Sequence, residues 1–296
     1  MTPIVRAAHA KVNVFLRVLG RRPDGYHDIE SLILPISLND VITVEPAEGL
    51  GVEVVGPTSA GVPAGQENLA LRAAVALAAE AGGAGRAPGA KVLIEKRIPV
   101  AAGLGGGSAD AAAALLALDE LWSLGLGAAG LMDVARSVGS DVPALLLGEP
   151  AYVRERGDVV ERVLVQPTTW VLATANVGVS AADAYAWWDV EPSTGPDPGA
   201  LIAAAETGND RLLGSALFND LQDPVVGRHP WVEATRDALV AAGAHGAVMT
   251  GSGPTVVALC SFASARDVAD AVPGSFVVDA PPRASTPERI PGSGVV

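Results

Sequence analysis

The sequence predicts a mixed α and β protein of two domains, and three observations carry that prediction. The chain has 296 residues, more than one ordinary domain holds and about right for two. Strand-like alternation and stretches of helical spacing are interleaved along both halves. Hydrophobic residues make up 49% against 18% charged, which supports a sizeable core and argues against general disorder.

Taken in order, Ile4 to Leu19 alternates loosely, with Val12, Val14, Leu16 and Val18 on one face. It reads as one strand, or as two with a break. Lys11 and Asn13 share the opposite face, where they pack poorly but suit phosphate. Pro23-Asp24-Gly25 is a turn, since Pro fixes φ and Gly accepts the left-handed position. Ile29 to Ile36 and Val41 to Val44 read as separate strands about an Asn39-Asp40 turn, and Gly51 to Val55 as another. Pro57 to Gln66 is a loop. Asn68 opens a helix from Leu69 to Ala81 with Leu71, Val75 and Ala78 at helical spacing. Gly82 to Gly89 reads as a flexible connector. Lys91 to Lys96 is a short strand that Pro99 bars from continuing as a paired central strand.

Next comes PVAAGLGGGSADAA, from Pro99 to Ala112. Gly103, Gly105, Gly106 and Gly107 stand before a helix read from Ser108 to about Trp122. Glycines let the backbone turn through positive φ and approach a ligand closely. The helix they lead into presents unpaired N–H groups and the positive end of its dipole, a combination that suits phosphate. A second helix runs from about Ala128 to Val138. Gly139-Ser140-Asp141-Val142-Pro143 then breaks the pattern and sets Asp141 in a fixed loop before the apolar run Ala144 to Leu147.

Composition turns polar from Gly148 to Asp158, which suggests a division into residues 1–155 and 156–280. In the second part Trp170 to Ala175 reads as a strand, and Ala200 to Thr207, Asp210 to Ser215 and Trp231 to Ala242 as helices. Gly246 to Thr250 and Thr255 to Cys260 are strands about a second glycine turn. Ala265 to Ala271 is a last helix and Phe276 to Asp279 a last strand. Residues 281–296 are rich in Pro and Ser and are expected to form a loose tail.

The net charge of −13 argues against a nucleic-acid partner. The longest apolar run, Ala111 to Leu118, falls far short of the roughly 20 residues that span a bilayer. Met1 to Ala10 has no apolar signal region, and Cys260 stands alone. No membrane partner and a cytoplasmic location are therefore the expectation. A phosphate ligand needs cations, and the only lysines are Lys11, Lys91 and Lys96, while Arg6, Arg17, Arg21 and Arg22 make the N-terminal segment locally basic. A Walker A loop needs Lys and then Ser/Thr after its last glycine, and here Ser108-Ala109 follow Gly107. A dinucleotide-binding fingerprint wants its glycines tight against a strand, with an acidic strand end about 20 residues on. Arg97 to Ala102 intervene, and Asp133 falls inside a helix.

Lys11-x-Asn13, Asp24-Gly25-Tyr26-His27, the Pro99 to Ser108 glycine loop, Ser140-Asp141-Val142-Pro143 and Thr250-Gly251-Ser252-Gly253 occur in one order. In this the sequence resembles the GHMP kinases, over roughly residues 5 to 280. Within them, AKVNVFLRVLGRRPDGYHDIES resembles the kinases that act on a cytidyl diphosphate polyol. The resemblance implies an α+β fold of two domains, the first with a left-handed βαβ unit and the second ferredoxin-like, with the site between them. It also implies ATP and Mg²⁺. The ATP-binding residues would be Pro99, Val100, Ala101, Ala102, Gly103, Leu104, Gly105, Gly106, Gly107, Ser108 and Ala109, with Asn68 toward adenine. Asp141 would be the catalytic base and Lys11 its partner, stabilising the developing alkoxide while Asp141 accepts the hydroxyl proton. Asn13 would contact the substrate's diphosphate, Tyr26 and His27 its cytosine, and either Tyr185 or Trp187 would close the far side of that ring.

Ser108 is a candidate phosphate or Mg²⁺ ligand, or else the helix N-cap. The chain departs from the family's pattern at Ala101-Ala102 and Ala109-Asp110. Asp110 pointing outward would favour the helix dipole, and pointing inward would repel ATP. Other readings are a GHMP kinase for a homoserine- or mevalonate-like alcohol and a non-catalytic nucleotide-binding relative. The sequence leaves monomer and homodimer open.

Overall fold

The computed structural model describes residues 2–80, 89–175 and 177–282. The connector read at Gly82 to Gly89 lies almost wholly outside the described residues, as does most of the tail from 281. Two sheets organise the chain. The first begins with β1 (Ile4–Arg21) and β2 (His27–Ala47), a long antiparallel pair joined by the Pro23-Asp24-Gly25 turn. The two strands expected on either side of Asn39-Asp40 are one strand. Asp40 is fully buried there and holds polar partners instead of turning the chain. β3 (Leu50–Val55), α1 (Leu69–Glu80) and β4 (Gly89–Glu95) follow, with β3 and β4 parallel, as in the βαβ unit the resemblance implies.

In α1 the inward face is Ala70, Ala73, Ala74, Leu77 and Ala78, and Val75 is 55% exposed. The stripe expected through Leu71 and Val75 loses to the alanines. Small residues let α1 lie close to α2 (Gly106–Trp122), whose inner face is also largely alanine. α3 (Gly127–Val138) and α4 (Val142–Leu147) complete this layer. The run Ala144 to Leu147 is therefore helical, with Pro143 in its first turn.

The polar stretch 148–158 forms most of a hairpin, β5 (Ala151–Glu155) and β6 (Val159–Arg162), which extends the first sheet through β2. Residue 155 is thus the end of one arm of the hairpin, and the chain leaves this sheet only after Arg162. β7 (Thr168–Ala173) starts the second sheet. Five short elements come next: α5 (Ala181–Trp188), α6 (Gly199–Thr207), α7 (Asp210–Ser215), β8 (Phe218–Asn219) and α8 (Gln222–Val226). β8 returns to pair with β1, giving the order β3-β4-β2-β1-β8. α9 (Trp231–Ala241), β9 (Gly246–Met249), β10 (Val256–Cys260), α10 (Ala265–Ala271) and β11 (Ser275–Ala280) finish the fold.

The second sheet is antiparallel with order β11-β7-β10-β9, the ferredoxin-like arrangement. Its strands are apolar on both faces because both are covered. Val171, Ala173, Val256 and Ala258 pack with α9 and α10, whereas Trp170, Leu172, Val257 and Leu259 join the core of the first sheet. That shared core holds the two sheets against each other. No helix among the described residues is long and apolar enough to cross a membrane.

Candidate active site

One cleft of about 870 Å³ runs between the two sheets, bordered by the glycine loop, the start of α1, the Tyr26 turn, α5 and the Gly251 turn. Its floor is the β1 segment carrying Lys11 and Asn13. The Lys11 backbone N–H donates to the Leu104 carbonyl at 3.0 Å, tying β1 to the loop. The Lys11 ammonium donates to Asn13 Oδ1 at 2.5 Å and to the Gly103 carbonyl at 3.0 Å. It stands 3.6 Å from Asp141 Oδ2. Lys11 is buried, while the Asp141 side chain is 35% exposed, so the pair is open on the carboxylate side. Asp141 is the residue that enters α4, and Pro143 and the Val142 N–H bond to Gly139 fix that entry.

Two glycine turns meet over Lys11. A Cβ at Gly103 (φ +76) would collide with the Thr250 carbonyl oxygen, and one at Gly251 (φ +57) would lie 3.0 Å from the Lys11 ammonium. Only glycine permits that approach. The Asn13 N–H donates to Thr250 Oγ1 at 2.7 Å, and Asn219 clamps the Met249 and Gly251 carbonyls at 2.7 and 2.9 Å. Asn13 Nδ2 donates to Ser31 Oγ at 2.8 Å, so both ends of its amide are held.

α2 starts at Gly106, two residues before the expected Ser108, with Gly105 (φ +68) as its cap. Ser108 is therefore not the N-cap, and it borders the cleft in the helix's first turn. The first turn of a helix leaves N–H groups without intrahelical partners, and here Gly106, Gly107 and Ser108 border the cleft. Ala101 takes a left-handed φ of +52, a conformation that glycine adopts more readily, and its carbonyl accepts the Val179 N–H at 3.2 Å.

Asp110 points inward, into a buried cluster. Lys96 donates to Asp40 and, at 2.8 Å, to Asp110. Asp40 Oδ1 also accepts the N–H groups of Arg97 and Ile98, at 2.5 and 2.9 Å. Burial alone would pull the Lys96 ammonium down, but the two carboxylates outweigh it and push it up. The Asp110 carboxyl is pushed up to about 8, chiefly by burial and also by the charge of Asp40, against the pull of Lys96. The ammonium offsets the repulsion that an inward Asp110 would exert on a phosphate ligand. Nothing in the sequence pattern pairs Asp40 with this loop. Its only signal was a charged residue inside an apolar run.

At the other end of the cleft, the His27 ring stacks on Tyr185 at 4.7 Å, and its Nε2–H donates to Asp189 Oδ1 at 2.8 Å. Tyr26 borders the cleft and is 54% exposed. The Tyr185 phenol is pushed up by burial and by the charge of Asp141. Trp187, two residues on, is half-buried against Arg228 (4.5 Å) and His229 and does not line the cleft, so of the two aromatics Tyr185 borders it. Asn68 lies at the cleft edge, but its side chain caps α1: Oδ1 accepts the Ala70 N–H at 2.9 Å and Nδ2 donates to the Pro63 carbonyl at 2.8 Å. Pro99 to Ser108 all line the cleft, and Ala109 is buried behind them.

A glycine cradle at a helix N-terminus, a buried ammonium and an accessible carboxylate between two such sheets define a kinase of the GHMP kind. Residues 68–149 match the GHMP kinases N terminal domain and residues 201–278 the GHMP kinases C terminal, so the chain belongs to the GHMP kinases. Among its relatives, a 4-diphosphocytidyl-2-C-methyl-D-erythritol kinase of Symbiobacterium thermophilum is 45% identical, covering 84% of this chain and 88% of that one. The kinase of the same name from Nocardia farcinica is 41% identical over 100% of this chain and 97% of its own. A solved 4-(cytidine 5'-diphospho)-2C-methyl-D-erythritol kinase superposes with a TM-score of 0.77 at 35% identity, covering 94% of this chain and 99% of its own. Within the GHMP kinases, this chain belongs with those enzymes.

Proposed function

We infer that the chain transfers the γ-phosphoryl group of ATP to a hydroxyl of 4-diphosphocytidyl-2-C-methyl-D-erythritol, a step of the non-mevalonate route to isoprenoid precursors. The kinship supports the reaction, and one observation carries the assignment of residues: the Lys11 ammonium and the Asp141 carboxylate, 130 positions apart in sequence (141 − 11), meet at 3.6 Å beside the glycine cradle.

In this reading the triphosphate lies along Pro99 to Ala109, held by the N–H groups of the first turn of α2. The acceptor hydroxyl sits against Asp141. As its oxygen bonds to the γ-phosphorus and the bond to ADP breaks, Asp141 takes the proton. Lys11 lies where negative charge gathers on that oxygen, and it is already oriented by Asn13 and Gly103, so little reorganisation is needed during the reaction. Asn13 is placed toward the diphosphate. Tyr26, His27 and Tyr185 form the end that takes the cytosine, and Asn68 shapes the adenine end through the start of α1.

Among the described residues no three His, Cys, Asp or Glu side chains cluster as a metal cage. Mg²⁺ accompanying ATP needs none, because it is held by phosphates, waters and one or two protein oxygens. The Ser108 hydroxyl in the cleft fits that donor set. Bound with ATP, the ion would neutralise phosphate charge during transfer.

The test is ADP release, with the cytidyl substrate and without it. Asp141→Asn should lower kcat by about 10²-fold or more while ATP binding persists. An unchanged rate would remove Asp141 from the mechanism, and turnover on homoserine or mevalonate in place of the cytidyl substrate would overturn the acceptor.

A further inference from the structure

Tyr26 is the most exposed of the aromatic residues at the cleft, so burial does little to fix its ring. A flat ring that stacks on a ligand needs a set orientation, and the structure supplies one from a different part of the chain. The Arg156 guanidinium lies over the Tyr26 ring, 5.2 Å from its centre, and Arg156 itself borders the cleft. It is held in turn by Asp158, whose Oδ2 accepts Nη2 and Nε at 2.6 and 3.2 Å. Both residues sit on the tip of the β5–β6 hairpin.

That tip is itself closely seated. Glu155 has a left-handed φ of +58, which side-chain-bearing residues seldom adopt, and Gly157 follows at +97. A Cβ at Gly157 would lie 3.6 Å from the Ser140 carbonyl, so the tip packs against the residue before Asp141. The Tyr26 turn is braced from below as well. Arg22 holds it at several points: its N–H donates to the Tyr26 carbonyl at 2.7 Å, its carbonyl accepts the Gly25 N–H at 3.0 Å, and its guanidinium donates to Asp24 and Asp28. Its guanidinium also lies 3.9 Å from Glu155 on the hairpin.

We propose that Arg156 is a positioning residue for the acceptor: it pins the Tyr26 ring for stacking and ties that ring, through the hairpin tip, to the Ser140-Asp141 turn. This rests on the reading of Tyr26 as the acceptor's stacking partner. The guanidinium acts as a plane and a charge together, so lysine is a poor substitute. A cation–π contact at a partly exposed ring corresponds to about a three- to tenfold change in an equilibrium.

The test is a double-mutant cycle on the acceptor's KM. Arg156→Ala should raise KM for 4-diphosphocytidyl-2-C-methyl-D-erythritol about three- to tenfold and leave KM for ATP unchanged, with Arg156→Lys closer to Ala than to wild type. In a Tyr26→Ala background, Arg156→Ala should add little. An undiminished effect in that background, or an equal rise in KM for ATP, overturns the proposal. The ring contact is read separately, by NMR of ring-labelled tyrosine, of which the chain has three. Arg156→Ala should shift the Tyr26 ring signal in the absence of any substrate, and an unmoved signal also overturns the proposal. If the wild-type protein fails to turn over the cytidyl substrate while the ring signal does shift, the failure lies with the functional reading and not with the contact.

Discussion

Replacing Asp40 separates two accounts of how the glycine loop is anchored. Asp40 is fully buried and serves three donors, the Lys96 ammonium and the N–H groups of Arg97 and Ile98. If the ion pair dominates, any loss of the carboxylate's charge should be severe, since breaking a buried pair costs about 3–5 kcal/mol. The cluster, however, places two carboxylates on one ammonium. Removing Asp40 leaves Lys96 matched one to one with Asp110, so the electrostatic loss is partly offset. The two stranded N–H groups have no such compensation and cost about 1–3 kcal/mol each. Asp40→Ala should therefore destabilise by about 4 kcal/mol. Asp40→Asn keeps an oxygen for both N–H groups and should lose less than about 2 kcal/mol. The difference is measured by urea unfolding followed through the buried Trp170 and its fellows. Equal losses for the two variants, or a loss below about 1 kcal/mol for alanine, would refute the account.

Gly103→Ala should weaken ATP binding at least tenfold, because a side chain at φ +76 meets the Thr250 carbonyl. Gly125→Ala, at a similar φ of +63 but in open space, should leave ATP binding at the wild-type value; nucleotide titration compares them. His9 is held below its ordinary value of 6.5 by burial, against the opposing bond to the Ile36 carbonyl. The fold favours its neutral form, so its contribution is full above that value and fades as pH falls through the depressed folded value. Between pH 7 and 5 the wild type should lose more stability than His9→Gln, measured as urea midpoints across that range. A steeper loss for the glutamine variant would contradict this.

Much of the site was legible because the chemistry concentrates in short, unusual strings. Three successive glycines before a helix, Lys and Asn two apart on a strand, and Asp between Gly-Ser and Val-Pro each sit poorly with packing alone, and the structure brings all of them to one cleft. The strands and helices that build the second sheet were largely visible as pattern, whereas their ferredoxin-like order was implied only by the family resemblance. Where reading failed, distant contacts outweighed local preference. Asn39-Asp40 looks like a turn because both residues favour turns, but a carboxylate that serves one ammonium and two N–H groups holds the strand straight through it. The polar stretch from 148 forms a hairpin because β2 is long enough to pair with β4 at one end and β5 at the other, and the chain passes to the second sheet just after it, between Arg162 and Thr168.

Trp187 and Tyr185 show the limit most simply. Two positions apart on a helix, they cannot share a face, and which one turns toward the cleft depends on the rotation of α5 against Val171 and its neighbours. By itself, the sequence determined the glycine loop before a helix, the residue types of the charged pair and the class of chemistry, since these are carried by short local strings. The tertiary structure alone decided which charges are neutralised, as with Asp110 beside Lys96, and which rings are held, as with Tyr26 beneath Arg156. Those outcomes depend on segments that only folding brings within a few ångströms of one another.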